Sequence, residues 1–498
     1  MMEEIHDFPA FSRGWVWTTL GETAEVVLGQ SPPSSTYNQD GIGLPFYQGK
    51  AEFGDTYPAP RKWCTSPKKI AEREDVLISV RAPVGPTNIC PEESCIGRGL
   101  AAIRGLGGIA PLFILYLLRS LENVIAGQGT GTTFNAIRGK QLRGLVIPLA
   151  PLPEQHRIAS KIEQLFTQLD AGMASLEKAR AQLQRYRQAV LKAAMEGELT
   201  KEWRAAHKGE LEPGSVLLER ISREREQAKG KSRQHFEPDW SELPALPDGW
   251  AHLFLEDLSA RDSNAIRRGP FGSAVRKAYF VAAGYKVYEQ KNVIANDFTL
   301  GSYYIDQDKF GELKRFELRG GDVVVSCSGT IGKIAIAPLT IQPGIINQAL
   351  LKITLDDSIV LPPYFVYLFK SKVHDIIRHS TRGSAMKNIA SVRELKRIPF
   401  PVAPLPEQHR LVEEMEYRLS IADEMERALN ETLVRGERLR QSILKMAFEG
   451  KLVPHDPTDE PASVLLERIK AEKAKRETEK KTRKKKPRKD TPQQLELI

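Results

Sequence analysis

Cysteine is scarce in this chain: Cys64, Cys90, Cys95 and Cys327 are the only four in 498 residues, and none has the CxxC spacing of a zinc site. They are expected to be reduced thiols of a cytoplasmic protein, with no metal bound. Long apolar runs are also missing. The longest, Leu112 to Leu118 preceded by Ile109 to Pro111, is too short to span a bilayer, and the acidic start Met-Met-Glu-Glu-Ile-His-Asp leads into no signal segment. Neither export nor membrane insertion is expected. An excess of one charge is absent from most of the chain as well. The formal net charge is +9, yet residues 468–489 alone carry 13 basic and 3 acidic groups. The rest is close to neutral, so no uniformly basic, DNA-coating body is implied and any anion-binding face must be local. With 41% hydrophobic and 27% charged residues the chain can bury cores, and its length implies two or more domains.

What the sequence does contain is a duplication. Pro151-Leu-Pro-Glu-Gln-His-Arg157 recurs as Pro404-Leu-Pro-Glu-Gln-His-Arg410, and residues 151–200 match 404–453 at 19 of 50 positions without a gap. Upstream the match weakens. Asp75-Val-Leu-Ile-Ser79 with Gly85 echoes Asp322-Val-Val-Val-Ser326 with Gly332, and Gly14-Trp15 echoes Gly249-Trp250. Downstream, Ser215-Val-Leu-Leu-Glu-Arg-Ile221 returns as Ser463-Val-Leu-Leu-Glu-Arg-Ile469. One module, a variable globule followed by a near-constant segment, is written twice.

Each constant segment reads as one long helix, rich in Ala, Leu, Glu, Gln, Lys and Arg and free of proline after its first turn. In the first copy Ile158, Ile162, Leu165, Leu169, Gly172, Leu176, Ala179, Leu183, Tyr186 and Val190 alternate steps of four and three, which is a heptad seam. The second copy keeps Leu411, Met415, Ala422, Met425, Leu429, Leu439 and Ile443, with Arg418, Thr432 and Gly436 as interruptions. A rod of roughly 65–70 Å needs a partner to bury such a seam. Chain order makes the other copy that partner, running antiparallel with a globule at each end.

The globules read as mixed α and β. Val76–Val80 and Val323–Ser326 are β-type runs, helices are expected to open near Pro111 and Pro363, and turn-rich stretches such as Gln30–Ser34 and Arg268–Ser273 punctuate them. Matched landmarks carry different side chains: Phe46-Tyr-Gln-Gly-Lys50 stands against Tyr288-Glu-Gln-Lys-Asn292, and Gly127–Thr133 against Ser380–Met386. Catalytic patterns do not emerge. Leu361-Pro-Pro-Tyr364 lacks the leading amide or carboxylate of an amino-group methyltransferase motif, the glycines of Gly127-x-Gly129-x-Gly131 have no counterpart in the second half, and Gly332-Lys333 belongs to no P-loop. His156 and His409 sit in a first helical turn, as solvated residues do.

Two variable globules alternating with two near-identical helices, each opened by Pro-Leu-Pro-Glu-Gln-His-Arg and closed by Glu196-Gly-Glu-Leu199 or Glu449-Gly-Lys-Leu452, resemble the specificity subunit of Type I restriction-modification enzymes. The resemblance implies an α+β chain: a target recognition domain over 1–150, a central long helix over 151–200, and a charged linker over 201–248. A second recognition domain over 249–403 and a distal long helix over 404–453 follow, and the charge block at the end of the sequence reads as a basic, disordered C-terminal tail over 454–498. The resemblance also implies a non-catalytic subunit. Each globule would read one half of a bipartite, asymmetric site in double-stranded DNA, while the antiparallel helices fix the gap and dock two modification subunits. S-adenosylmethionine, ATP and magnesium would belong to the modification and restriction subunits and not to this chain. By matched landmarks the candidate DNA-binding residues are Lys50, Arg81, Arg98, Thr132 and Thr133 in the first globule, and Lys291, Asn292, Ser328, Thr330, Arg382, Ser384 and Lys387 in the second. Two other classes compete. A self-contained methyltransferase or nuclease would bind S-adenosylmethionine or cut DNA alone, and a non-specific coiled-coil scaffold would show no sequence preference.

Overall fold

A computed structural model describes residues 14–128, 136–228, 243–271, 274–380 and 391–485. The chain divides into two compact units, residues 1–177 with 430–498, and residues 178–429. The division falls inside both long helices, so each unit holds one globule and half of each helix.

In the first unit an antiparallel sheet orders Ala24–Leu28, Leu100–Gly105, Val76–Ser79 and Thr87–Ile89. The apolar run Val76–Ser79 is buried on both faces, Val76 and Ile78 in the main core and Leu77 in a smaller one, which is why it lacks polar alternation. A second, mixed sheet contains Leu44–Tyr47 parallel to Ser94–Ile96. The strand Val16–Thr19 pairs with Val146–Leu149 just ahead of the first long helix. Pro111 opens the helix Pro111–Ser120, whose Phe113–Leu118 fill the core with Ile158, Ile162 and Phe448 of the two long helices.

The second unit repeats this plan. Ile266–Arg268, Leu350–Ile353, Val323–Ser326 and Ile334–Ile336 form the antiparallel sheet. Tyr285–Tyr288 runs parallel to Gly344–Ile346, and Ala251–Phe254 pairs with Pro399–Val402. The helix Pro362–Ser380 covers the core as its counterpart does. The downstream echo is helical in both copies: Leu217 and Ile221 of Gly214–Ala228 enter the second core, and Leu465 and Ile469 of Ala462–Lys485 enter the first.

The constant segments are single helices, Leu152–Met195 and Leu405–Phe448. Within each unit their halves lie antiparallel. In the first, Arg440 binds Asp170 and stacks over Phe166. In the second, Arg187 binds Asp423 at 2.5 Å and Glu426 at 2.8 Å. Arg187 and Arg440 are equivalent in the repeat, as are Asp170 and Asp423, so one ion pair is made twice with the helices exchanging roles.

Of the residues of the heptad reading, Ile158 and Ile162 are buried in the first globule's core and Leu411 and Met415 in the second's, Leu183 is buried, and Leu165, Leu169, Leu176 and Leu429 are half-buried. The contact line then shifts. Met425 is 55% exposed, and Tyr186 and Leu439 also face solvent. Arg187, Glu426 and Arg440 occupy the line instead. Gly172 is exposed while its neighbour Met173 points inward, into the space left by Gly436, where a Cβ would collide with the Met173 sulfur. Gly436 is thus the hole for a methionine knob and not an interruption. The shift follows from geometry, because a helix of 3.6 residues per turn drifts about 20° per heptad against a 3.5-residue pattern.

Candidate nucleic-acid interface

The repeated boxes turn out to be joints. Glu154 and Glu407 are fully buried, and each accepts from the indole Nε1 of its unit's repeated tryptophan, Trp15 at 3.0 Å and Trp250 at 2.9 Å. Glu407 also accepts from Thr200 Oγ1 at 2.6 Å and Arg204 Nε at 2.9 Å, and His455 Nδ1 lies 3.3 Å from Glu154. Gln155 and Gln408 donate to the carbonyls of Ala150 and Ala403. These bonds lock each helix start onto its globule. His156 and His409 are exposed, as expected of first-turn residues.

The Asp-x-x-x-Ser…Gly landmark is also structural. Asp75 and Asp322 accept from the backbone of Glu72 and Arg319, both at 2.8 Å. Ser79 Oγ donates to the Arg81 carbonyl at 3.0 Å and Ser326 Oγ to that of Thr330 at 2.6 Å, while Gly85 and Gly332, both at positive φ, return the chain to the same serines. These bonds fix the loops that present Arg81 in one globule and Ser328 and Thr330 in the other.

Neighbouring loops join those at one sheet edge. In the first globule Val80 N donates to Gly99 O, Gly97 N to Tyr47 O, Gly29 N to Leu100 O, and Arg98 N to Ser31 Oγ. Lys50, Arg81 and Arg98, all exposed, are thereby carried by adjoining segments. In the second globule Cys327 N donates to Ala349 O, Asn347 N to Tyr288 O and Gly269 N to Leu350 O. That is the same weave with other side chains. Lys291 is ion-paired to Glu289 at 2.7 Å and lies 5.7 Å from the Tyr303 ring centre. The carbonyls of Ser328 and Thr330 are tied to the Gln290 amide.

Asn292 is withdrawn as a DNA-binding candidate. It is fully buried, and its side chain accepts from Glu289 N and donates to the carbonyls of Asp297 and Leu300. Its amide caps a helix with both N–H donors spent, and its burial keeps a ligand from reaching it. Thr132, Thr133, Arg382, Ser384 and Lys387 lie outside the described residues. The edge also carries groups that the sequence landmarks do not single out: Gln30, Ser31 and Gln48 in the first globule, Arg268, Phe271, Gln290 and Gln348 in the second. Their common signal was the pair of glycines, Gly29 and Gly269, where an added Cβ would collide with the carbonyl of Gly97 or Asn347.

All four cysteines are buried free thiols. Burial pushes Cys90 up to about 11 and Cys95 and Cys327 up to about 12, so these three thiols stay protonated. Among the described residues no cluster of His, Cys, Asp or Glu could hold a metal, and no helix is long and apolar enough to cross a membrane. The edges instead offer Arg, Lys, Gln, Ser and Thr, the donor and acceptor set that reads base edges and phosphates.

The model of the Type I restriction modification DNA specificity domain matches residues 12–178 and again 271–435. The chain is 25% identical to the EcoBI specificity subunit of Escherichia coli over 94% of its own length and 93% of that protein's. It is 39% identical to the putative MjaX specificity subunit of Methanocaldococcus jannaschii over 39% of this chain and 45% of that one. In fold it is similar to a solved chain of the type I R-M system, with a TM-score of 0.67 at 20% identity over 89% of this chain and all of the other. It is also similar to the HsdS subunit of Thermoanaerobacter tengcongensis, with a TM-score of 0.53 at 19% identity over 89% and 99%.

Proposed function

The chain belongs to the Type I restriction modification DNA specificity family, and from that membership we propose that it is the DNA-reading subunit of a Type I restriction-modification complex. Each globule reads one half of a bipartite, asymmetric duplex site, and the long helices set the unspecified gap and dock two modification subunits. The chain catalyses nothing itself. Modification subunits carry S-adenosylmethionine, restriction subunits carry ATP and magnesium, and the assembly works in the cytoplasm.

The carrying observation is the pair of sheet edges, woven by the same backbone hydrogen bonds yet furnished with different side chains. Selection for stability alone has no use for such a pairing, whereas two readers of unlike half-sites need it. The test is a swap of residues 1–150 for the corresponding domain of another family member, with methylated sites mapped in cells that supply the modification subunits. One half of the methylated sequence is expected to change. A change in both halves, or in neither, would overturn modular reading.

A further inference from the structure

We propose that Arg268 reads a guanine in the half-site bound by the second globule, held in its reading posture by Phe271 and Gln348. The assignment rests on the DNA-reading function argued above. Arg268 ends the edge strand Ile266–Arg268. The next residue, Gly269, lets that strand close on the turn at Asn347–Gln348, where any Cβ would strike the Asn347 carbonyl. The arginine backbone is therefore fixed. Its Nε points at the Gln348 carbonyl, 3.4 Å away, and its guanidinium carbon lies 5.4 Å from the centre of the Phe271 ring. An aromatic platform holds a guanidinium flat and leaves its two amino groups in a fixed fork.

Phe271 is 70% exposed, a large apolar ring with no core to fill, which makes sense if the ring supports its neighbour. Some cations of this globule are answered by carboxylates, among them Lys291 by Glu289, Lys309 by Glu312, and Lys314 and Arg319 by Glu317. Arg268 has no carboxylate partner among the described residues. Guanine presents two adjacent acceptors, O6 and N7, at the spacing of that fork. At the equivalent place in the first globule, before Gly29, stands Leu28, which cannot donate a hydrogen bond. The two half-sites should therefore differ in this feature.

The experiment maps methylated sites in cells expressing the modification subunits with the full chain as wild type, Arg268→Ala, Arg268→Lys and Phe271→Ala. A second arm measures binding of each assembled methyltransferase to cognate and singly substituted duplexes across a salt series. Arg268→Ala is expected to lower discrimination at one guanine about 10- to 100-fold and to leave the other half-site untouched. Arg268→Lys keeps the charge without the fork, so it should bind DNA at near wild-type strength yet lose the same discrimination. It also serves as the readout should the alanine variant fold poorly. Phe271→Ala should produce a smaller loss at the same base. A half-site lacking guanine on both strands would overturn the assignment. So would a uniform loss of affinity with a salt slope lower by about one, the mark of a phosphate contact. Swapping residues 249–403 separates the two failures. If the swap changes a half-site but Arg268→Ala relaxes nothing, only the arginine assignment falls; if the swap changes nothing, the reading function falls too.

Discussion

The joints and the edges of this protein obey opposite rules. At the joints, Trp15 with Glu154 and Trp250 with Glu407 are one contact made twice, because a buried carboxylate tolerates only a partner that satisfies it. At the edges, the backbone weave recurs but the side chains do not: Arg98 in the first globule answers to Gln348 in the second, and Leu28 to Arg268. A duplicated chain can thus be rigid where its parts must meet and free to diverge where they face a ligand.

The largest expected disruption lies in the helices. Deleting one heptad from each, about 10 Å of rise, should shorten the unspecified gap of the methylated site by about three base pairs without altering either specified half. Mapping of methylated sites reads this directly, and an unchanged gap in an active complex would remove the helices from their measuring role. Next come the joints themselves. Glu407→Ala strands Arg204 and Trp250 and should cost about 3–5 kcal/mol in calorimetric unfolding. Glu154→Ala, with fewer donors to orphan, should cost about 1–3 kcal/mol. Equal losses would mean that the two joints are interchangeable despite their different surroundings. The smallest effect belongs to the duplicated ion pair. Arg187→Ala and Arg440→Ala should each cost no more than about 1 kcal/mol, since their carboxylate partners Asp423 and Asp170 are about 60% exposed.

Much of the scaffold was legible beforehand. The strands at Val76 and Val323, the helices at Pro111 and Pro362, and the two long helices follow from apolar runs, proline placement and helix-forming composition. The burial of Asn292 was not legible, because an asparagine after a strand caps a helix or faces a ligand depending on loops more distant in the sequence, here those at Asp297 and Leu300. The reading role of Arg268 and Phe271 is hidden in the sequence for a similar reason. They look like turn residues until the strand order brings the 347–348 turn beside them.

The amino-acid sequence alone determined the duplication, the helical rods and the contrast between constant and variable parts, since repetition and periodicity are properties of residue order. Only the tertiary structure decided which side chains face the helix partner and which loops share an edge. Met173 rather than Gly172, Arg187 rather than Tyr186 and Glu426 rather than Met425 line the contact. That choice depends on how an accumulating helical drift meets another surface, and a single strand of sequence does not contain its partner's position.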